Sequence, residues 1–93
     1  MTGIPVDSVD VAVYTVPTDA PEGDGTLTWD STTMILVTIR AGDTVGTGWT
    51  YGPAACASVI RDMLSDIVVG RDALDVGGAF DAMIRAVRNA GRP

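Results

Sequence analysis

Residues 32–51 read TTMILVTIR, AGDT and VGTGWTY, and this stretch decides the fold. In 32–40 the residues Thr33, Ile35, Val37 and Ile39 alternate onto one side. Met34 and Leu36 make the opposite side apolar as well, which is the pattern of a central strand with neighbours on both edges. Ala41-Gly42-Asp43-Thr44 carries the signal of a tight turn, so 45–51 is expected to return antiparallel as another strand.

Upstream, residues 8–16 read SVDVAVYTV, with Val9, Val11 and Val13 on one face and Asp10, Ala12 and Tyr14 on the other. The three runs predict a three-stranded antiparallel meander. Between the first two lies PTDAPEGDGTLTWDS, residues 17–31, far longer than the ~2–5 residues of an ordinary hairpin loop. Its prolines argue for stiffness and its glycines for mobility, and it is expected to be a flap that orders against a ligand or a neighbouring domain.

Downstream the period changes. Gly52-Pro53 opens a helix expected over about 54–69, with Cys56, Val59, Ile60, Met63, Leu64, Ile67 and Val68 as its apolar stripe and Gly70 as its end. Asp75 is placed to cap a second helix over about 75–90, which repeats the rhythm with Val76, Ala79, Phe80, Met83, Ile84 and Val87 before Gly91. Strands followed by helices predict an α+β domain with both helices on one face of the sheet. The other face is left uncovered, as in a domain built to lean on something.

Composition narrows the chemistry. The 93 residues suffice for one small domain, and no apolar run reaches the ~18–20 residues that span a bilayer. No basic segment followed by an apolar stretch opens the chain, so the expected location is the cytoplasm. Twelve acids outnumber six bases, all arginine and all scattered, which argues against a nucleic-acid partner. There is no His and no Lys, so the usual general base, Schiff-base amine and imidazole metal ligand are missing. The lone Cys56 falls on the apolar stripe with no His to activate it and reads as core.

Other motifs fail on inspection. Counted from Asp19 as an EF-hand loop, the third position is Pro21, which offers no side-chain oxygen. Gly46-Thr47-Gly48 lies within a strand, whereas a phosphate-cradling loop joins a strand to a helix. With no desolvating wall in view, Asp19 and Asp24 read as surface charge rather than as a general base. Trp29 at the root of the flap and Tyr51 at the end of the third strand leave the same side of the meander. They form either half of a pocket wall or simple packing at the sheet edge.

The order of elements, together with TDAPEGDGT, TTMILV, DTVGTGWTYGPA and VRNAGRP, resembles the N-terminal capping domain of the enolase superfamily, in its mandelate racemase/muconate lactonizing enzyme group. The resemblance covers about 6–93. It implies a following (β/α)₈ barrel that holds Mg²⁺ and the bases abstracting a proton α to a carboxylate, in a racemase, acid-sugar dehydratase or cycloisomerase. On that pattern the chain is a cap cut at a domain junction, not catalytic by itself, with no metal or cofactor of its own. The barrel is its expected partner, and a carboxylate, possibly a sugar acid, its expected substrate. Thr18, Asp19, Asp24 and Trp29 from the flap and Tyr51 from the strand-three turn are the implied substrate-binding residues. An apolar face left bare by the missing parts predicts self-association. A stand-alone, non-catalytic α+β binding or oligomerisation module is the competing expectation.

Overall fold

The computed structural model of the chain describes residues 3–89. Strands β1 (Ser8–Gly23), β2 (Thr28–Ala41) and β3 (Thr44–Tyr51) form one antiparallel sheet in the order β1-β2-β3, so the TTMILVTIR strand is central, as its two apolar faces predict. Ala41 and Thr44 pair directly, and Gly42 adopts φ 60° at the first central position of the two-residue turn. A hairpin of this type suits the sheet twist and favours glycine there.

Register fixes the two faces. Val9, Val11 and Val13 pair with Ile39, Val37 and Ile35, and those three face Gly46, Gly48 and Thr50 of β3. The helices pack on this side: Val9, Val37 and Ile39 share a cavity wall with Ile60, Leu64, Val68 and Met83. Ile35 at the centre of the sheet is completely buried. The opposite face carries Tyr14, Met34, Leu36, Trp49 and Tyr51, with Trp49 and Tyr51 packed edge to face at 5.1 Å. Tyr14 and Trp49 are exposed, so the second face is uncovered, as expected.

The first helical arm is not the uniform helix that the stripe predicts. It consists of α1 (Ala55–Val59), a π-helical turn (Ile60–Leu64) and α2 (Ser65–Val68). A π turn inserts one extra residue and rotates the helical segments on its two sides relative to each other. Ala57 is therefore the buried residue of the first turn, while Cys56 is half-buried and Val59 is exposed. Through the π turn and into α2, Ile60, Leu64 and Val68 recur every four residues towards the sheet.

Helix α3 (Val76–Ala86) begins where Asp75 predicts, and Gly78 N–H donates to the Asp75 carboxylate at 3.1 Å. The glycine has a local cause, because a Cβ on Gly78 would collide with the Asp75 carboxylate that caps the helix. α3 ends at Ala86, short of the expected 90; the Gly91 cap lies outside the described residues.

One tie has no sequence signal strong enough to predict it. Residues 4–7 bridge the interhelical turn to the sheet: Val6 N–H donates to Arg71 C=O, Gly70 N–H to Val6 C=O, and Asp7 N–H to Arg40 C=O. Val6, within this strap, is buried. Among the described residues, no helix is long and apolar enough to cross a membrane.

The radius of gyration, 16.0 Å, exceeds the roughly 12 Å of a compact chain this size. The distal part of the β1–β2 hairpin runs on past Met34↔Tyr51, the last pair of β2 with β3.

Candidate functional site

That distal part is the segment expected as an irregular flap, and most of it is a β-ribbon. The ladder runs unbroken from Ser8↔Arg40 to Pro17↔Ser31, then resumes at Glu22↔Trp29 and Gly23↔Thr28. Between the two stretches, Thr18, Asp19, Ala20 and Pro21 oppose Asp30 alone. A bulge of this kind bends the strand and absorbs Pro21, which has no N–H, while Pro17 is tolerated in the ladder because β1 is an edge strand.

The ribbon closes on Asp24. Its carboxylate accepts from Thr26 N–H at 2.8 Å, Thr26 Oγ1 at 2.8 Å and Leu27 N–H at 2.9 Å, while its own N–H donates to Leu27 C=O. The Thr26 backbone hydrogen bond, then the Thr26 hydroxyl and the Leu27 N–H, hold the Asp24 pKa below its ordinary value. These bonds are stronger to the ionised carboxylate than to the protonated one. Because the folded value is depressed, their contribution is fully present above the ordinary aspartate value of about 3.9 and is lost as pH falls through the lowered one. Acidification below about pH 3.9 is therefore expected to loosen the tip, read as faster amide exchange at Thr26 and Leu27 with the core of the sheet unchanged. Equal exchange in an Asp24→Ala variant and the parent at pH 7 would count against it.

The sequence-derived candidates separate in space. Asp24 builds the turn at the tip. Thr18 sits in the bulge, where its hydroxyl donates to Ala20 C=O at 2.7 Å, and the neighbouring Asp19 is exposed. Trp29 and Tyr51, by contrast, share one trough with Leu27, Ser31, Thr32, Thr33, Gly52 and Pro53. The trough exists because β2 outruns β3. β3 ends opposite Met34, Gly52 N–H makes one more bond to Thr33 C=O at 3.2 Å, and the chain then turns into the helical arm. The earlier part of β2 is left with a step beside it.

Two aromatic rings, a leucine, a proline and three aliphatic hydroxyls line that step, with no charged side chain among them. Sequence reading missed Leu27, Ser31, Thr32 and Thr33. The i, i+2 repeat of Trp29, Ser31 and Thr33 was the signal to read, hidden by treating 17–31 as loop. Among the described residues, no three of His, Cys, Asp and Glu come together as a group that could hold a metal ion.

No protein-family model and no curated protein sequence matches the chain. Solved structures do. A mandelate racemase/muconate lactonizing enzyme-like protein from Rubrobacter xylanophilus superposes with a TM-score of 0.92 at 47% identity, over 96% of this chain and 25% of that one. A racemase from Streptomyces coelicolor A3(2), with bound magnesium, matches at 27% identity and TM-score 0.88, over 94% of this chain and 26% of its own. Muconate lactonizing enzyme from Pseudomonas fluorescens, complexed with muconolactone, shares the fold at 18% identity and TM-score 0.84, over 94% of this chain and 26% of its own. The chain spans about a quarter of the length of these proteins. It has the N-terminal domain of the mandelate racemase/muconate lactonizing enzyme-like proteins of the enolase superfamily.

Proposed function

We propose that this domain is the substrate-gating cap of a Mg²⁺-dependent enzyme that abstracts a proton α to a carboxylate, of racemase, acid-sugar dehydratase or cycloisomerase type. The observation that carries the reading is the neutral trough joining Trp29 to Tyr51 at the root of the projecting ribbon. A projecting ribbon and an open aromatic step are what a lid needs in order to close over a ligand and exclude water. The bound magnesium of the Streptomyces coelicolor racemase supports the cofactor assignment.

In this reading the metal, its ligands and the proton-abstracting bases belong to a C-terminal barrel, the domain's partner. The cap contributes contacts only. Trp29 and Tyr51 touch the part of the substrate remote from its carboxylate, Thr18 and Asp19 border the entrance from the bulge, and Asp24 keeps the tip in shape. A lining of aromatic planes and hydroxyls with no cation suits a polyol better than a second anionic group, which favours sugar acids. The cytoplasm is the compartment this reading assigns.

The test is a chimera that joins this domain to the remainder of the Rubrobacter xylanophilus protein. The expected result is Mg²⁺-dependent exchange of a substrate α-proton in D₂O for at least one member of a sugar-acid panel. No exchange with any carboxylate, from a chimera that folds and binds Mg²⁺, would overturn the proposal. A dicarboxylate turned over as well as its monoacid analogue would overturn the sugar-acid assignment alone.

A further inference from the structure

The sheet has two edges, and the chain treats them differently. The β1 edge carries Asp10, Pro17, Asp19, Pro21 and Glu22, the charges and prolines that keep a free strand from pairing with another chain. The β3 edge reads TVGTGWTY, with no charge and no proline, and every residue of it is exposed. Its backbone geometry is set by the ladder. Gly52 N–H donates to Thr33 C=O, and Gly52 continues the register in which Tyr51 pairs with Met34. Hydrogen bonding alternates along an antiparallel strand. Thr44, Gly46, Gly48 and Thr50 therefore bond inwards to β2, and the N–H and C=O groups of Val45, Thr47, Trp49 and Tyr51 point outwards. The Tyr51 carbonyl also accepts from the Thr50 hydroxyl at 3.2 Å.

We propose that β3 is a self-complementary docking edge whose occupant is the β3 strand of a second copy of this chain. A two-fold axis through Gly48, perpendicular to the sheet, pairs Thr47 with Trp49 and Val45 with Tyr51 of the other copy. All four outward residues of each strand are then bonded, and both chains keep the same face of the sheet upward. Opposite Gly48 stands Gly48 of the second copy, so the helix side of the seam is free of crowding; a Cβ on Gly46 or Gly48 would meet open space. On the other face Trp49 and Tyr51 of each copy lie beside Thr47 and Val45 of the other, extending the bare aromatic patch into a shared one.

With a formal charge of −6, two copies repel one another at most approaches, and β3 is the uncharged strand along which they meet without opposing carboxylates. In this register Asp43 falls opposite Pro53, so the two Asp43 side chains lie at opposite ends of the seam.

The experiment is sedimentation equilibrium of the 93-residue chain from micromolar to millimolar concentration, with amide exchange read at both ends of the range. The expected mass rises from 9.6 kDa towards twice that value, and the Val45, Thr47, Trp49 and Tyr51 amides become protected as it does. Thr47→Pro removes an outward N–H at a position where an edge tolerates proline, and it is expected to stay monomeric over the same range. Thr47→Val keeps the N–H and is expected to associate like the parent. A parent that remains monomeric at millimolar concentration overturns the proposal. So does association without protection at these four amides, or protection that is already complete while the mass is still 9.6 kDa, which would mean that another segment of the same chain covers the edge.

Discussion

Replacing Ile35 by alanine is expected to lower the unfolding free energy by about 2–5 kcal/mol, the range for truncating a fully buried aliphatic side chain without collapse of the site. Ile35 is the one large side chain wholly buried among the described residues; Val6, Ala41 and Ala57 are the other buried apolar positions. It sits between Val13 of β1 and Thr50 of β3, so its loss opens a void under all three strands. Small domains hold about 5–15 kcal/mol in total, so this one change removes a large share. The check is urea denaturation of parent and variant with the slope unchanged. Val45→Ala, on the exposed edge strand, should move the stability by no more than about 0.5 kcal/mol. A difference below that size for Ile35→Ala would mean that the core lies elsewhere.

The second large effect is expected on turnover. In the chimera with the barrel of the Rubrobacter xylanophilus protein, Tyr51→Ala and Trp29→Ala are each expected to reduce kcat/KM by about 10–100-fold, and the pair by less than the product of the singles. Truncating an aromatic contact in a substrate pocket costs about 1.4–2.8 kcal/mol when it orients the reacting part as well as holding the rest. Non-additivity is expected because the two rings line one trough. Tyr51 is 66% exposed and Trp29 36%, so neither truncation should unfold the domain, and unchanged thermal midpoints are the control. Thr18→Ala should have a smaller effect, since its hydroxyl is already engaged by the Ala20 carbonyl. Single variants of Trp29 and Tyr51 that leave kcat/KM and substrate preference unmoved would remove both from the site.

Much of the scaffold was legible because its signals are local and agree with one another. Alternation in TTMILVTIR, a glycine at the hairpin turn and an aspartate three residues before Gly78 each act through nearest neighbours, and the central strand, the two-residue turn and the start of α3 fall at those residues. The pairing of Trp29 with Tyr51 was also legible, since a meander returns the ends of its first and third strands to one side.

Local signals misled where they conflicted with the ladder. Two prolines and two glycines between 17 and 25 describe a loop, yet pairing resumes beyond the prolines because four residues of β1 bulge against one of β2. The π turn in the first helical arm and the strap at 4–7 depend on how the arm meets the sheet, which no window of the sequence contains. The stretch TDAPEGDGT was readable as a segment apart from the strands and helices, but which of its neighbours come together was not. Asp24 is engaged by its own turn, while Trp29, two places from Ser31 on the same strand, reaches the trough.

The amino-acid sequence by itself determined the three-stranded meander followed by helices, the absence of His and Lys, and the superfamily resemblance, since each rests on residue identity and spacing. Only the tertiary structure decided that the flap is a ribbon, that one sheet edge is guarded and the other bare, and that Trp29 and Tyr51 line one neutral step. Those facts depend on register, and register is set by the sum of contacts across strands rather than by any strand alone.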